Sequence, residues 1–209
     1  MTTTTPQDFW NSRYQADDYV YGKTPNAFFR SQLDRLTACN ILLPAEGEGR
    51  NAVYAATQGW QVTAFDMSRE GKRKADALAA ERGVPLHYRV GTLDELDFPR
   101  EAFDTLALVF AHFLAGQRHT LHRALLGLLK PGGTVILEGF SKNHLPLSRK
   151  NPALGGPGDE AMLFSLDEIR TDFTGCDILL LEETLTELRE GQFHNGQSSV
   201  IRFVGRKAG

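Results

Sequence analysis

The hexapeptide Gly47-Glu48-Gly49-Arg50-Asn51-Ala52 satisfies the pattern G-x-G-x-x-G/A, in which small residues let a ligand approach backbone amides where a helix opens. Asp66 closes the next apolar run, where a carboxylate can accept both hydrogen bonds of a ribose diol. A tight turn alone would explain the glycines; with Asp66 they favour a nucleoside-containing ligand. Histidine is the usual side chain for moving a proton near neutral pH, and His112, His144 and His194 all fall at the ends of apolar runs or in loops. His112 follows TLALVFA and is the first candidate base; His194, in the turn-like His-Asn-Gly, is the second. Arg13, Glu138 and Arg202 are candidates for orienting an acceptor. His119, His122 and the Gly71-Lys72-Arg73-Lys74 run read as solvated helix faces, and Asn26 as a helix cap.

These residues need a scaffold. Apolar runs at 41–45, 61–67, 86–90, 105–111 and 134–140 alternate with helix-like segments at 50–59, 68–83 and 117–133, each closed by glycine or Pro-Gly. That alternation predicts βαβ units on a parallel sheet. DILLLEETLTEL and SSVIRFVGRK, joined by a turn-rich stretch, predict an antiparallel hairpin at the end. The expected fold is α/β, Rossmann-like and doubly wound, with a mostly parallel seven-stranded sheet ending in the antiparallel C-terminal hairpin. One domain over 1–209 is expected: a helical, aromatic preface (1–40), a ligand-binding core (41–140), an irregular lid-like loop (141–164), then a helix and the hairpin (165–209). Ser165 and Glu168 form a capping box for that last helix.

Composition narrows the partners. The 23 basic and 26 acidic side chains leave a formal charge of −3, so no basic excess points to nucleic acid. Cys39 and Cys176 make no CxxC or Cys/His spacing, and no metal site is expected. The start of the chain reads as neither signal peptide nor anchor, and no apolar run approaches a membrane span, so a cytoplasmic protein without membrane contact is expected.

The blocks ILLPAEGEGRNAVYAATQGWQVTAFDMS (41–68), GTLDELDFPREAFDTLALVFAHF (91–113) and LHRALLGLLKPGGTVILEGF (121–140) resemble the class I S-adenosylmethionine-dependent methyltransferases. YVYGKTPNAFF and LREGQFHNGQSSVIRFVGRK are similar to the small tellurite-resistance-type members. The resemblance implies S-adenosyl-L-methionine as cofactor, S-adenosyl-L-homocysteine as product, and in-line methyl transfer to a small-molecule acceptor by a monomer or homodimer. It places the methionine part against Glu46, Gly47 and Gly49, with Asn51 in the same turn. Asp66 then falls on the ribose, Met67 near the adenine, Thr92 and Leu93 at the adenine edge, and Phe110, Ala111 and His112 beside the sulfonium. Trp10 and Tyr21 are aromatic faces for that cation; Arg13, Glu138, His144 and Arg202 fall to the acceptor. Where the family commonly has Asp-Leu-Gly-Cys-Gly, this chain has Leu43-Pro44-Ala45-Glu46-Gly47, so Glu46 stands in for the missing acid. The glycine turn and Asp66 also permit an NAD-linked oxidoreductase, and the altered loop permits a non-catalytic ligand-binding module.

Overall fold

A computed structural model describes residues 5–209. The preface forms two helices, α1 (Pro6–Tyr14) and α2 (Ala27–Leu33). Thr5 and Asp8 cap α1 reciprocally and Asn26 caps α2, satisfying amides that have no partner within the helix. The core then runs β1 (Asn40–Pro44), α3 (Arg50–Thr57), β2 (Gln61–Asp66), α4 (Arg69–Arg82), β3 (His87–Val90), β4 (Phe103–Val109), α5 (Ala115–Leu128) and β5 (Leu129–Phe140). It ends with α6 (Leu145–Lys150), α7 (Leu166–Asp172), β6 (Cys176–Arg189) and β7 (Asn195–Lys207).

The seven strands lie in the order β3-β2-β1-β4-β5-β7-β6. β1 to β5 are parallel, and β7 runs antiparallel between β5 and β6. The fold class read from the sequence is the one found. Its central strands are apolar on both faces because helices cover both. Leu42, Leu106, Leu108 and Val135 pack with Leu125 of α5 and Ile169 of α7 on one side; Ile41, Leu43, Ala107 and Ile136 pack with Phe29, Ala52 and Ala75 on the other. Strand order reverses between β1 and β4, and an open α/β sheet parts its loops at such a point to leave a crevice at the carboxyl ends.

Two local expectations change. The Lys-Pro-Gly-Gly turn belongs to β5, which starts at Leu129 and shifts register against β4 between Phe103 and Thr105, so α5 stops at Leu128. The segment after β5 is not irregular throughout: it holds α6 and 3-10 turns at Lys142–His144, Pro152–Leu154 and Glu160–Met162. Buried Leu145, Leu154 and Leu163 pin it to the domain. Two surface readings also fail. Lys74 is 2% exposed because it pairs with Glu48, and His122 is fully buried, its Nδ1–H donating to Asp172. Charged residues at helical spacing look solvated until a distant partner draws one inward. The Ser165–Glu168 capping box forms as expected. No described helix is long and apolar enough to cross a membrane.

Candidate active site at the carboxyl ends of the strands

The turn after β1 is shaped by close approaches. Gly49 has φ 85° at the N-cap of α3, and a Cβ there would lie 2.4 Å from Ala75 Cβ, so only glycine allows α3 and α4 to meet. Gly47 has φ 58°, and a Cβ there would fall 2.6 Å from Tyr14 Oη. Its amide N–H donates to Asp66 Oδ2 at 3.1 Å, and Ser68 N–H donates to Asp66 Oδ1 at 2.8 Å. A carboxylate offers about four lone-pair sites, so these amides leave Asp66 able to accept further donors. Burial pushes this carboxyl up to about 6, against the pull of the amide donors. Glu46 is buried beside it and accepts the Ala52 N–H at 2.7 Å; burial raises it to about 7. Gly91 N–H donates to the Asp66 carbonyl, bringing the end of β3 alongside. There Thr92 donates from its amide and hydroxyl to Glu95, while Leu93 packs against the core.

The preface closes over this turn. Tyr14 faces Gly47, and Trp10 stacks on Tyr14 with centroids 5.4 Å apart. Gln7 donates to the Met67 carbonyl, and Asn11 Oδ1 accepts from Ser68 Oγ–H and Arg69 N–H, fastening α1 to the start of α4. Glu48 accepts the amides of Val20 and Tyr21 and pairs with Lys74 at 2.7 Å. Asn51 is not free for a ligand through its oxygen, which accepts the Asn26 N–H. The sequence reading missed Tyr14, Asn11 and Glu48.

The hairpin completes the opposite wall. His194 has φ 58°, and its carbonyl accepts the Glu190 N–H at 3.0 Å. Its Nδ1–H donates to Glu190 Oε2 at 3.3 Å, leaving Nε2 as the basic nitrogen, with no hydrogen bond to it among the described residues. Glu190 also accepts from Arg50 at 2.7 Å and from Asn26 Nδ2 at 2.9 Å; the Arg50 guanidinium and the His194 ring hold its carboxyl down at about 2 against the upward push of burial. The His194 ring lies 4.6 Å from Tyr21 and 4.3 Å from Phe110. Phe110, with φ 53° and its N–H on the Glu138 carbonyl, leads into buried Ala111 at the exit of β4.

Other candidates are placed differently. Both nitrogens of His112 serve backbone groups: Nδ1–H donates to the Met162 carbonyl at 2.9 Å, and Nε2 accepts the Phe140 N–H at 3.0 Å. Burial lowers its pKa to about 3. The reading of His112 as a base is therefore corrected: it fastens the lid segment to β4 and β5. We predict that His112→Ala lowers stability by about 1–3 kcal/mol, the cost of stranding two backbone partners, measured by urea unfolding. A variant as stable as wild type but slow in turnover would restore the catalytic reading. His144 is fully buried, stacks on Phe140 at 3.9 Å and meets the Gly155 carbonyl through Nε2; its Nδ1 has no hydrogen-bond partner among the described residues. Glu138 is taken up by Asn26 and by Arg202 Nε at 2.6 Å, and Arg202 lies over Phe28, so neither orients an acceptor directly.

Residues 41–133 match the methyltransferase domain family. An uncharacterized protein of Mycobacterium tuberculosis is 28% identical over 164 residues, 76% of this chain and 60% of its own length. The chain thus spans less than two thirds of the first curated relatives it matches. Among solved structures, TehB from Haemophilus influenzae superposes with a TM-score of 0.70 at 14% identity, covering 96% of this chain and 66% of TehB. Magnesium protoporphyrin IX methyltransferase from Synechocystis PCC 6803 with bound SAH gives 0.71 at 18%, covering 97% of this chain and 98% of that one. The domain match over 41–133 and the two superpositions together give the chain the fold that these methyltransferases share.

Proposed function

We propose that the protein is a cytoplasmic enzyme that transfers a methyl group from S-adenosyl-L-methionine to a small-molecule acceptor bearing a protic nucleophile. The observation that carries this is Asp66: a buried carboxylate at the end of β2, joined to the glycine turn and able to accept further hydrogen bonds. A vicinal diol supplies the two donors that would complete it. Gly47 and Glu46 would take the methionine part, with Tyr14 and Trp10 closing over it; Met67 and Leu93 would flank the adenine. The preface and lid enclose the strand ends, which suits a small acceptor better than a polymer.

Bound S-adenosylmethionine supplies an activated methyl on a sulfonium centre, so this chain's residues have to align the acceptor, exclude water and remove a proton. Nε2 of His194 takes the proton from the acceptor's hydroxyl, thiol or amine. Glu190 fixes the tautomer that leaves Nε2 unprotonated and steadies the cation formed, while Arg50 keeps Glu190 ionised. Phe110 and Tyr21 pack on the imidazole and hold its orientation.

Calorimetric titration with S-adenosylhomocysteine and with NAD tests the cofactor. The first should bind and the second should not; binding of NAD alone would replace the reading with an oxidoreductase, and silence from both with a non-catalytic module. The protons exchanged carry the sign. Asp66, raised to about 6 in the free protein, is about half protonated at pH 6. Diol donors favour the carboxylate, so its pKa falls on binding and about half a proton leaves at pH 6, little at pH 8. Affinity should therefore rise from pH 5 to pH 7. Proton uptake at pH 6, read from titrations in buffers of different ionisation enthalpy, would contradict the placement on Asp66.

A further inference from the structure

Most basic side chains bordering the site are neutralised. Arg50 pairs with Glu190, Lys74 with Glu48, and Arg202 with Glu138, each through a buried carboxylate. Arg13 differs. It sits in the last turn of α1, partly exposed, and no carboxylate reaches it among the described residues. Its guanidinium is held between two rings, 5.0 Å from the centroid of Phe9 and 4.4 Å from that of Phe193, and it borders the Tyr21 phenol. Stacking of this kind fixes the plane of a guanidinium; one N–H meets the Tyr21 hydroxyl, and the other N–H donors are available to an anion.

The direction in which it points separates it from the cofactor turn. Tyr14, one residue further along α1, faces Gly47. Arg13 is turned toward Phe193, the residue before His194 in the hairpin. From Arg13 a line of rings leads inward: Phe193 lies 6.3 Å from Tyr21, and Tyr21 lies 4.6 Å from His194. Phe110 and Phe140 continue the apolar wall beyond it. A guanidinium thus stands at the outer end of this line of rings and the His194 imidazole at its inner end.

We propose that Arg13 recognises a carboxylate on the methyl acceptor, and that the acceptor is a small carboxylic acid with a flat, apolar body and a hydroxyl or thiol as nucleophile. The proposal rests on the methyltransferase reading of the same site. One unpaired cation suits a monoanion, because the other basic side chains nearby are already matched to carboxylates. The reaction balances. The hydroxyl or thiol proton passes to His194 Nε2, the freed lone pair forms the bond to the methyl carbon, and the carbon–sulfur bond breaks with its electrons left on a neutral thioether sulfur.

The test uses the full chain saturated with S-adenosylhomocysteine, titrated with 4-hydroxybenzoate, 2-mercaptobenzoate and 3-(4-hydroxyphenyl)propanoate, and with the amide of each. At least one acid should bind about tenfold or more tighter than its amide, the contribution of one charge-assisted fork. Arg13→Gln should remove that preference while leaving affinity for the amide and for S-adenosylhomocysteine within about twofold, and Arg13→Lys should keep part of it. Equal binding of acid and amide, or no binding of any acid, overturns the acceptor class. A loss of S-adenosylhomocysteine affinity in Arg13→Gln also overturns it, by assigning the fork to the cofactor's own carboxylate. Failure of S-adenosylhomocysteine to bind the wild type overturns the methyltransferase reading itself, separately from these.

Discussion

Replacing Asp66 with alanine should weaken S-adenosylhomocysteine binding by at least about a hundredfold. A buried ribose diol would lose an ionised acceptor for two hydrogen bonds, each worth roughly 1.5–3 kcal/mol when the acceptor is charged, and about 1.4 kcal/mol is tenfold. The substitution also touches the fold. Gly47 N–H and Ser68 N–H both end on this carboxylate, so alanine leaves two amides without partners beside the glycine turn. Stability should therefore fall as well, and affinity has to be measured on protein shown to be folded by far-ultraviolet circular dichroism. Asp66→Asn is the control. It keeps the shape and one acceptor oxygen but turns an NH2 toward an amide donor, so it should bind with intermediate affinity. A folded Asp66→Ala protein that binds within about threefold of wild type would remove Asp66 from the cofactor site.

The position of Asp66, at the end of β2 and joined to the glycine turn, was legible because it follows from local order: glycine turn, helix, apolar strand, acid. The parallel strands were legible for the same reason, since 105–111 and 134–137 are apolar without alternation and only a sheet covered on both faces buries such runs. Residues whose roles depend on distant partners were not legible. His112 has the residue type of a base, but its function is set by a carbonyl at Met162 and an amide at Phe140. Glu48 and Glu190 carry no motif. Each is recognisable only once the fold brings Lys74 or Arg50 beside it, since a carboxylate at that depth requires a cation. Tyr14 belonged to an aromatic cluster in the preface, and nothing in its spacing distinguished it from Phe9, which is 46% exposed. What separates them is the helical turn that α1 presents to Gly47.

His194 is a hairpin residue by sequence and the proposed base by its surroundings. His-Asn-Gly does suit a hairpin, and φ 58° at His194 agrees with that. The structure adds a buried carboxylate on Nδ1 and leaves Nε2 free. His194→Ala should lower turnover on a hydroxyl or thiol acceptor by about a hundredfold to ten-thousandfold, the usual range for a positioned base, while cofactor affinity stays close to wild type. The pH dependence distinguishes a base from a packing residue. Burial lowers the His194 pKa, and Glu190 opposes that shift. The free base should therefore already predominate at neutral pH, with kcat/KM rising from acid pH to a plateau by about pH 7. Glu190→Gln removes the opposing pull, so the inflection should move to lower pH while the plateau falls, because the tautomer and the developing cation lose their support. A structural histidine would instead lower the plateau without moving the inflection. If His194→Ala retained full turnover, the acceptor would have to arrive already deprotonated, and the site would be acting by alignment and exclusion of water alone.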